Sequence, residues 1–211
     1  MARMTPTVCS EGTAPGEREV FEDLRDNRIT KDWIVLHSLW ISEHVNQVEG
    51  EVDFLVLIPG LAAVVVEVKG HRKIRCKDGD WYYGMDNKPA RTKSEKKGPF
   101  RQASDNKFSL IKKLKPHRAL KDVPFVSLAV FPRFPLDDFD TVEWRPAQCV
   151  DLQKINGCGS ISKAIELAAN SERIYLEGKQ PQFDKDNKGP TEEECGSIRS
   201  ILRPDFDKME S

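Results

Sequence analysis

The chain has 211 residues, of which 38% are hydrophobic and 32% are charged, and its formal net charge is −1. This length favours one domain with a sizeable core, and a net charge near zero does not by itself indicate a class of partner. No apolar run reaches the roughly 18 residues of a membrane span, and no signal peptide is recognisable. The five cysteines form no CxxC pair, which argues against a zinc site and, without a secretion signal, indicates a reducing cytoplasm.

Residues 1–14 are small and polar, so we expect them to form a flexible N-terminal tail. A first helix is predicted from Pro15-Gly16, because Glu17, Val20, Phe21 and Leu24 lie on one helical face. Glu17 is therefore in line with the buried stripe. The alternative interpretation is a first-turn acid that the helix dipole favours.

The segment Glu51–Gly70 predicts two apolar strands joined at Pro59-Gly60, after an earlier strand over residues 33–41. Strands joined so closely must pair as an antiparallel hairpin. Three charged residues interrupt this hairpin, namely Asp53, Glu67 and Lys69. A charge inside a buried strand costs several kcal/mol unless it is paired or holds a metal, so these residues are candidates for chemistry.

Further elements follow along the chain. A hairpin is expected at Asp78-Gly79, followed by an exposed loop over residues 87–99. A helix is then predicted from about Phe100 to Lys115. Its apolar face carries Phe108, Ile111 and Leu114, and another face carries Gln102, Asn106 and Lys113. A buried strand over 123–134, a short strand over 147–152, a helix capped by Ser160 and a last helix opened by a Thr191/Glu194 capping box complete the pattern. The order predicts an α/β fold in which helices flank a mixed sheet.

Basic residues concentrate in the middle of the chain. From Lys69 to Lys121 there are 17 Lys and Arg against five Asp and Glu, whereas from Glu177 onward nine acids face six bases. A basic middle segment suits a surface that binds a polyanion. The alternative is a solvated loop, since blocks of charge often only solvate.

The pattern Asp/Glu-x-Lys occurs six times, but only Glu67/Lys69 lies in an apolar strand. These two side chains share a face, and hairpin pairing would bring Asp53 opposite Val66 or Glu67. Two carboxylates, with the carbonyl of Val68, match the oxygen ligands of Mg²⁺, and Lys69 could orient a water for phosphodiester hydrolysis. A partly buried salt bridge to Lys69 is the alternative.

The same residues resemble the nuclease-related domain (NERD) family of the PD-(D/E)xK nucleases. Gly16-Glu17 is similar to the family's Gly-Glu at the first helix, Asp53 and Pro59-Gly60 to its Asp before a Pro-Gly turn, and Glu67-Val68-Lys69 to its Glu-x-Lys. Pro99-Phe100-Arg101-Gln102 is similar to its Pro-x-x-Gln. Gly98 stands where the family usually has Asn, and Val68 where it more often has Thr.

The resemblance covers about Pro15 to Leu114 and implies a restriction-endonuclease-like core. We assign residues 15–175 to this domain and residues 176–211 to a linker and a short C-terminal helix. The resemblance also implies DNA cleavage, most simply by an endonuclease, with Mg²⁺ or Mn²⁺ held by Asp53, Glu67 and Val68. The implied catalytic residues are Asp53, Glu67, Lys69, Glu17 and Gln102. DNA processing or defence against foreign DNA would fit, with a helicase, another protein or a second copy of the chain as partner.

Five basic residues are candidates for contacts to DNA phosphates, because they follow the proposed catalytic strand or lie at the start of the Gln102 helix: Arg72, Lys73, Lys96, Lys97 and Arg101. Ordinary surface charge is the alternative for all five. Trp81, Tyr82 and Tyr83 could stack on bases, although packing within their hairpin is favoured. A catalytically inactive nucleic-acid-binding or protein-interaction module on the same fold remains the alternative function.

Overall fold

The structure is a computed structural model that describes residues 1–42, 50–84, 98–136, 141–184 and 186–205, together with the backbone of 93–95. Its strands in chain order are β1 (Arg3–Thr5), β2 (Ile34–Ile41), β3 (Gly50–Ile58), β4 (Ala62–Val68), β5 (Lys73–Lys77), β6 (Asp80–Gly84), β7 (Lys93–Glu95), β8 (Phe125–Phe131) and β9 (Cys149–Asp151). Its α-helices are α1 (Pro15–Asp26), α2 (Pro99–Leu114), α3 (Leu152–Cys158), α4 (Ile161–Glu177) and α5 (Glu192–Leu202).

Six strands form one mixed sheet in the order β1-β2-β3-β4-β8-β9. The strands β2, β3 and β4 are antiparallel neighbours, whereas β1 pairs with β2, β8 with β4, and β9 with β8 in parallel. The predicted β3–β4 hairpin at Pro59-Gly60 is confirmed, and Gly60 takes the positive φ of 75° that such a tight turn needs. This α/β arrangement of a mixed sheet and flanking helices confirms the predicted fold class and is consistent with a restriction-endonuclease-like core.

The alternation of side chains along β3 and β4 divides the core between the two faces of the sheet. Phe54, Val56, Val64 and Val66 pack with α1 and α4 on one face, and their neighbours Leu55, Leu57, Ala63 and Val65 pack with α2 and α5 on the other. The sheet is therefore covered on both sides, which explains why both central strands are nearly continuous runs of apolar residues.

A second sheet, in the order β5-β6-β7, carries the predicted hairpin at Asp78-Gly79. Its residues Trp81 and Tyr83 are 2% and 3% exposed, so both rings are packed, but Trp81 also packs outside the hairpin, on Phe100 of α2 and Phe131 of β8. The strand β7 lies inside the segment that we expected to be only an exposed loop.

Several expectations differ from the structure. Residues 3–5 of the expected tail pair with β2, because backbone groups at the sheet edge gain hydrogen-bond partners there. On α2, Phe108 and Ile111 are 53% and 39% exposed, so these two residues were wrongly assigned to the apolar face, whereas Leu114 is buried as expected. The buried face instead includes Ala103, Asn106 and Leu110, and Asn106 is accommodated because its amide donates to the carbonyl of Glu51 at 2.9 Å.

The helix capped by Ser160 was expected to end at Asn170 but reaches Glu177, and α3 was not predicted. The Thr191/Glu194 capping box at the start of α5 is confirmed. Residues 43–49, between β2 and β3, lie outside the described residues. No helix in the described part of the chain is long and apolar enough to cross a membrane.

Candidate active site at the end of the central hairpin

The site begins where β3 and β4 leave their regular pairing. Phe54 is the register partner of Val66, so the next pair in this register is Asp53 and Glu67. The backbone amide of Val68 donates to the carboxylate of Asp53, with 2.7 Å between N and Oδ2. The expected juxtaposition of Asp53 and Glu67 thus arises from strand register together with one hydrogen bond from backbone to side chain.

The two carboxylates repel each other. Burial, and next the charge of Glu67, hold the pKa of Asp53 well above its ordinary value, and the Val68 amide and Lys69 offset this only in part. Glu67 is only 6% exposed. A second cation beside these groups would lower the electrostatic free energy of the site.

Lys69 connects the hairpin to α2. Its Nζ lies 2.9 Å from Oε1 of Glu67 and donates to Oε1 of Gln102 at 3.1 Å. The ammonium also lies 5.3 Å from the ring centroid of Tyr83 on β6, a cation–π distance. Residues from three elements, β4, β6 and α2, therefore meet at Lys69, and the second sheet contributes Tyr83 to the site.

Glu17 reaches the site through a contact between two glycines. A Cβ placed on Gly16 would lie 2.3 Å from Cα of Gly70, and one placed on Gly70 would lie 2.7 Å from Cα of Gly16. Only residues without side chains allow the backbone of α1 to approach the end of β4 so closely. Glu17 follows directly, and its charge contributes to the raised pKa of Asp53.

His37 on β2 is a site residue that the sequence analysis missed. Its Nε2 lies 2.6 Å from Oε1 of Glu17, and the residue is 2% exposed. Because a carboxylate only accepts, Nε2 carries the proton of this hydrogen bond. The ring stacks on Phe54 at 4.7 Å and meets Phe21 edge-on at 5.2 Å, which fixes its orientation. The sequence could have identified His37, because it is a titratable residue in an apolar strand, the same criterion by which Asp53 was selected.

The backbone around His37 is held from the C-terminal side of the chain. Arg203, which follows α5, donates from Nη1 to the carbonyls of Thr5 at 2.7 Å and His37 at 3.0 Å, and from Nη2 to that of Ser38 at 2.8 Å. Ser38 has a positive φ of 48° inside a strand, a conformation that non-glycine residues rarely adopt. Arg203 therefore stabilises the irregular stretch of β2 that presents His37 to Glu17.

The candidate DNA-contact residues are distributed around this centre. Arg72 and Lys73 are exposed a few positions beyond Lys69, and Arg101 is exposed beside Gln102 at the start of α2. In sequence, these three residues lie within four positions of Lys69 or directly before Gln102. Lys96 and Lys97 lie outside the described residues.

The donor set can be compared with what a divalent cation needs. Asp53 and Glu67 offer carboxylates, and the carbonyl of Val68 is a third oxygen on the same strand, which fits Mg²⁺ because this ion keeps several waters beside one or two carboxylates. Within the described ranges, no group of three or more His, Cys, Asp or Glu side chains is arranged to hold a metal. The residues thus fit a site that is completed by water and substrate rather than a closed protein cage.

Comparison with known proteins gives one match. A family model described as nuclease-related domain matches residues 13–132, which is more than half of the chain. This span runs from just before α1 to just after β8 and contains Glu17, Asp53, Glu67, Lys69 and Gln102. Neither the search of curated proteins nor that of solved structures gave a match.

Proposed function

Because this chain belongs to the nuclease-related domain (NERD) family, we propose that it is a metal-dependent nuclease that hydrolyses phosphodiester bonds of DNA with Mg²⁺ or Mn²⁺. The observation that carries the proposal is the group formed by Asp53, Glu67, Lys69 and Gln102 at the end of the central hairpin. It combines mutually repelling carboxylates of low exposure with a lysine that a glutamine orients. Repulsion between such carboxylates costs folding free energy, so the arrangement indicates a catalytic role rather than a stabilising one.

Each residue has a role that follows from its contacts. Asp53, Glu67 and the carbonyl of Val68 would hold the ion. The bound ion would polarise a phosphoryl oxygen of the substrate and lower the pKa of a water. Gln102 fixes the Lys69 ammonium, which would orient the attacking water and offset the charge that develops on the phosphate. Glu17, held by His37, adds a further carboxylate whose charge acts on Asp53.

The basic segment supports DNA as the substrate, with Arg72, Lys73, Lys96, Lys97 and Arg101 as contacts to the phosphate backbone. We propose an endonuclease of the cytoplasm that acts in DNA processing or in defence against foreign DNA. A helicase, another protein or a second copy of the chain would be its partner.

Covalently closed plasmid DNA tests the proposal, because only an endonuclease can open it. We expect the wild type to convert the closed plasmid to nicked or linear DNA in Mg²⁺ or Mn²⁺ but not in EDTA. Asp53→Asn and Glu67→Gln should lose at least about 100-fold in rate, the scale of a lost electrostatic group at a reacting centre. Glu51→Gln is the matched control, since Glu51 is an exposed carboxylate on the same strand. If the site variants cleave as fast as this control, the proposal is wrong.

A catalytically inactive module on the same fold is the second candidate. It is favoured by the ion pair of 2.9 Å between Glu67 and Lys69, because paired groups can be purely structural. A nucleic-acid-binding module predicts DNA binding that weakens with salt and no cleavage in either metal. A protein-interaction module predicts no salt-dependent DNA binding, so a titration from low to high salt separates the two.

A further inference from the structure

A cavity lies between α2, β6 and the segment over residues 143–148. Its volume is about 490 Å³, within the range of pockets that enclose small organic ligands. The residues that matter for its chemistry are Trp81, Phe100, Arg101, Ser104, Lys107 and Trp144. None of the contacts of the candidate active site uses Ser104, Lys107 or Trp144, and of the residues that line this cavity only Arg101 has a proposed contact to DNA.

Aromatic rings form one side of the cavity. Trp144 stacks on Phe100 with 4.4 Å between centroids and 8° between planes, and Trp81 lies 5.8 Å from Trp144. A Cβ on Gly98 would lie 2.4 Å from Nε1 of Trp81. A side chain at this position, where the family usually has Asn, would therefore clash with the indole. The indole of Trp81 can therefore occupy this place only because residue 98 is glycine.

Cations line the opposite side. Neither Arg101 nor Lys107 forms an ion pair with a carboxylate among the described residues, although Nζ of Lys107 lies 4.9 Å from the ring centroid of Phe108. Arg145, also at the cavity, is neutralised by a two-point contact with the buried carboxylate of Glu172. Burial, and next the charge of Arg145, lower the pKa of Lys107, and the charge of Glu172 offsets this only in part. An anion in the cavity would offset it further.

One carboxylate, Glu143, also lines the cavity, but its side chain is exposed. The charges of Arg145 and Glu172 cancel each other. The two remaining cations, Arg101 and Lys107, outweigh Glu143, so the net charge at the cavity is positive. A hydroxyl donor is available from Ser104. Cations, a hydroxyl and aromatic rings together are the set that binds a phosphate and the base attached to it.

The cavity and the candidate active site share two elements. On α2, Gln102 turns to Lys69, while Arg101 and Ser104 line the cavity. On β6, Tyr83 lies against Lys69, and Trp81, two residues earlier on the same face, lies at the cavity. A nucleic-acid strand whose phosphate is at Lys69 can thus place a neighbouring nucleotide in the cavity.

We propose that this cavity is a nucleotide subsite, in which Arg101, Ser104 and Lys107 bind a phosphate next to the scissile one and Trp144 contacts its unpaired base. This inference rests on the proposed function, because the strand is the one that the nuclease would cut. It makes an unpaired or single-stranded segment the preferred substrate. A base inside a regular duplex could not enter a cavity of this kind without leaving its stack.

Binding without cleavage tests the subsite separately from catalysis. Fluorescence anisotropy of a labelled single-stranded oligonucleotide is measured in EDTA at several salt concentrations, for the wild type, Lys107→Met and the control Lys112→Met. Lys112 is an exposed lysine of the same helix that does not line this cavity. We expect Lys107→Met to bind about tenfold more weakly, with a salt slope smaller by about 0.7, and Lys112→Met to bind like the wild type. Arg101→Gln, at an exposed position, serves as a second variant if Lys107→Met is unstable.

Tryptophan fluorescence gives a second measurement. In a Trp40→Phe background, which removes an exposed tryptophan, the oligonucleotide should quench the emission of the tryptophans at the cavity, and inorganic phosphate alone should not. Equal binding by Lys107→Met and Lys112→Met, absence of oligonucleotide binding, or stronger binding of a polyglutamate peptide would each overturn the subsite. Failure of the plasmid assay with intact oligonucleotide binding would instead overturn the proposed catalysis and leave the cavity as a binding site.

Discussion

Replacing Gly70 by alanine tests how the structure positions Glu17. The new Cβ would lie 2.7 Å from Cα of Gly16, whereas carbon atoms in contact prefer 3.5–4.0 Å, so the two backbones must separate by about 1 Å. The neighbour is backbone and not a flexible side chain. Overpacking of this kind costs about 1–3 kcal/mol, which lowers the melting temperature of a chain of this size by roughly 2–12 °C.

The displacement should affect catalysis more than stability. A shift of about 1 Å near a reacting centre can cost about 100-fold in rate, and Gly70 joins α1 to the strand that carries Glu67 and Lys69. Thermal unfolding followed by circular dichroism gives the stability change, and plasmid cleavage in Mg²⁺ gives the rate. Gly157→Ala is the control, because a Cβ there meets nothing within 4 Å and alanine in helix α3 should be neutral or slightly stabilising.

The reasoning would be refuted if Gly70→Ala had the same melting temperature as Gly157→Ala and cut DNA at the wild-type rate. The close contact of the two backbones would then have no energetic weight. A loss of activity without any change in melting temperature would mean that the glycine serves the reaction directly rather than through the position of α1.

Three further predictions concern single side chains. His37→Leu should lower kcat about tenfold at unchanged KM because Glu17 loses its partner, and His37→Gln, which keeps a donor, should restore part of it. Lys69→Met should destabilise the metal-free protein by about 3 kcal/mol in denaturant unfolding, since Glu67 stays buried without a counter-charge, and adding Glu67→Gln should recover most of this loss. Burial raises the pKa of Cys195 to about 12 from the ordinary thiol value of 9.0, so the folded state keeps a proton that the unfolded chain releases. Stability should fall as pH rises from about 9 towards 12, and Cys195→Ala should show a smaller fall.

The hairpin that carries the site could be predicted from sequence because its signals are local. The pairing and approximate register follow from two apolar strands, the Pro59-Gly60 turn between them and the three charges that interrupt them. None of these signals depends on the rest of the chain. The register did place Asp53 at Glu67, one of the two alternatives expected. The roles of these residues in metal binding and catalysis stay predictions.

Other features could not be predicted because they depend on distant partners. The strand β1 is only three residues long and pairs with β2 about 30 positions away, so no periodicity indicates it. The buried face of α2 contains Asn106, whose burial depends on a carbonyl of β3, and leaves Phe108 exposed. Arg203 meets three carbonyls that belong to two distant segments, and a lone arginine after a helix gives no sign of them.

Both helices at the site begin there with paired glycine and proline, Pro15-Gly16 in α1 and Gly98-Pro99 in α2. Each proline stands at the start of its helix, and neither helix has a side-chain cap. The partial positive charge of a helix start arises from backbone dipoles and acts over about one turn. A phosphate bound between Glu17 and Gln102, as the proposed function requires, would therefore meet two such partial charges, an attraction from the backbone that no single side-chain substitution would remove.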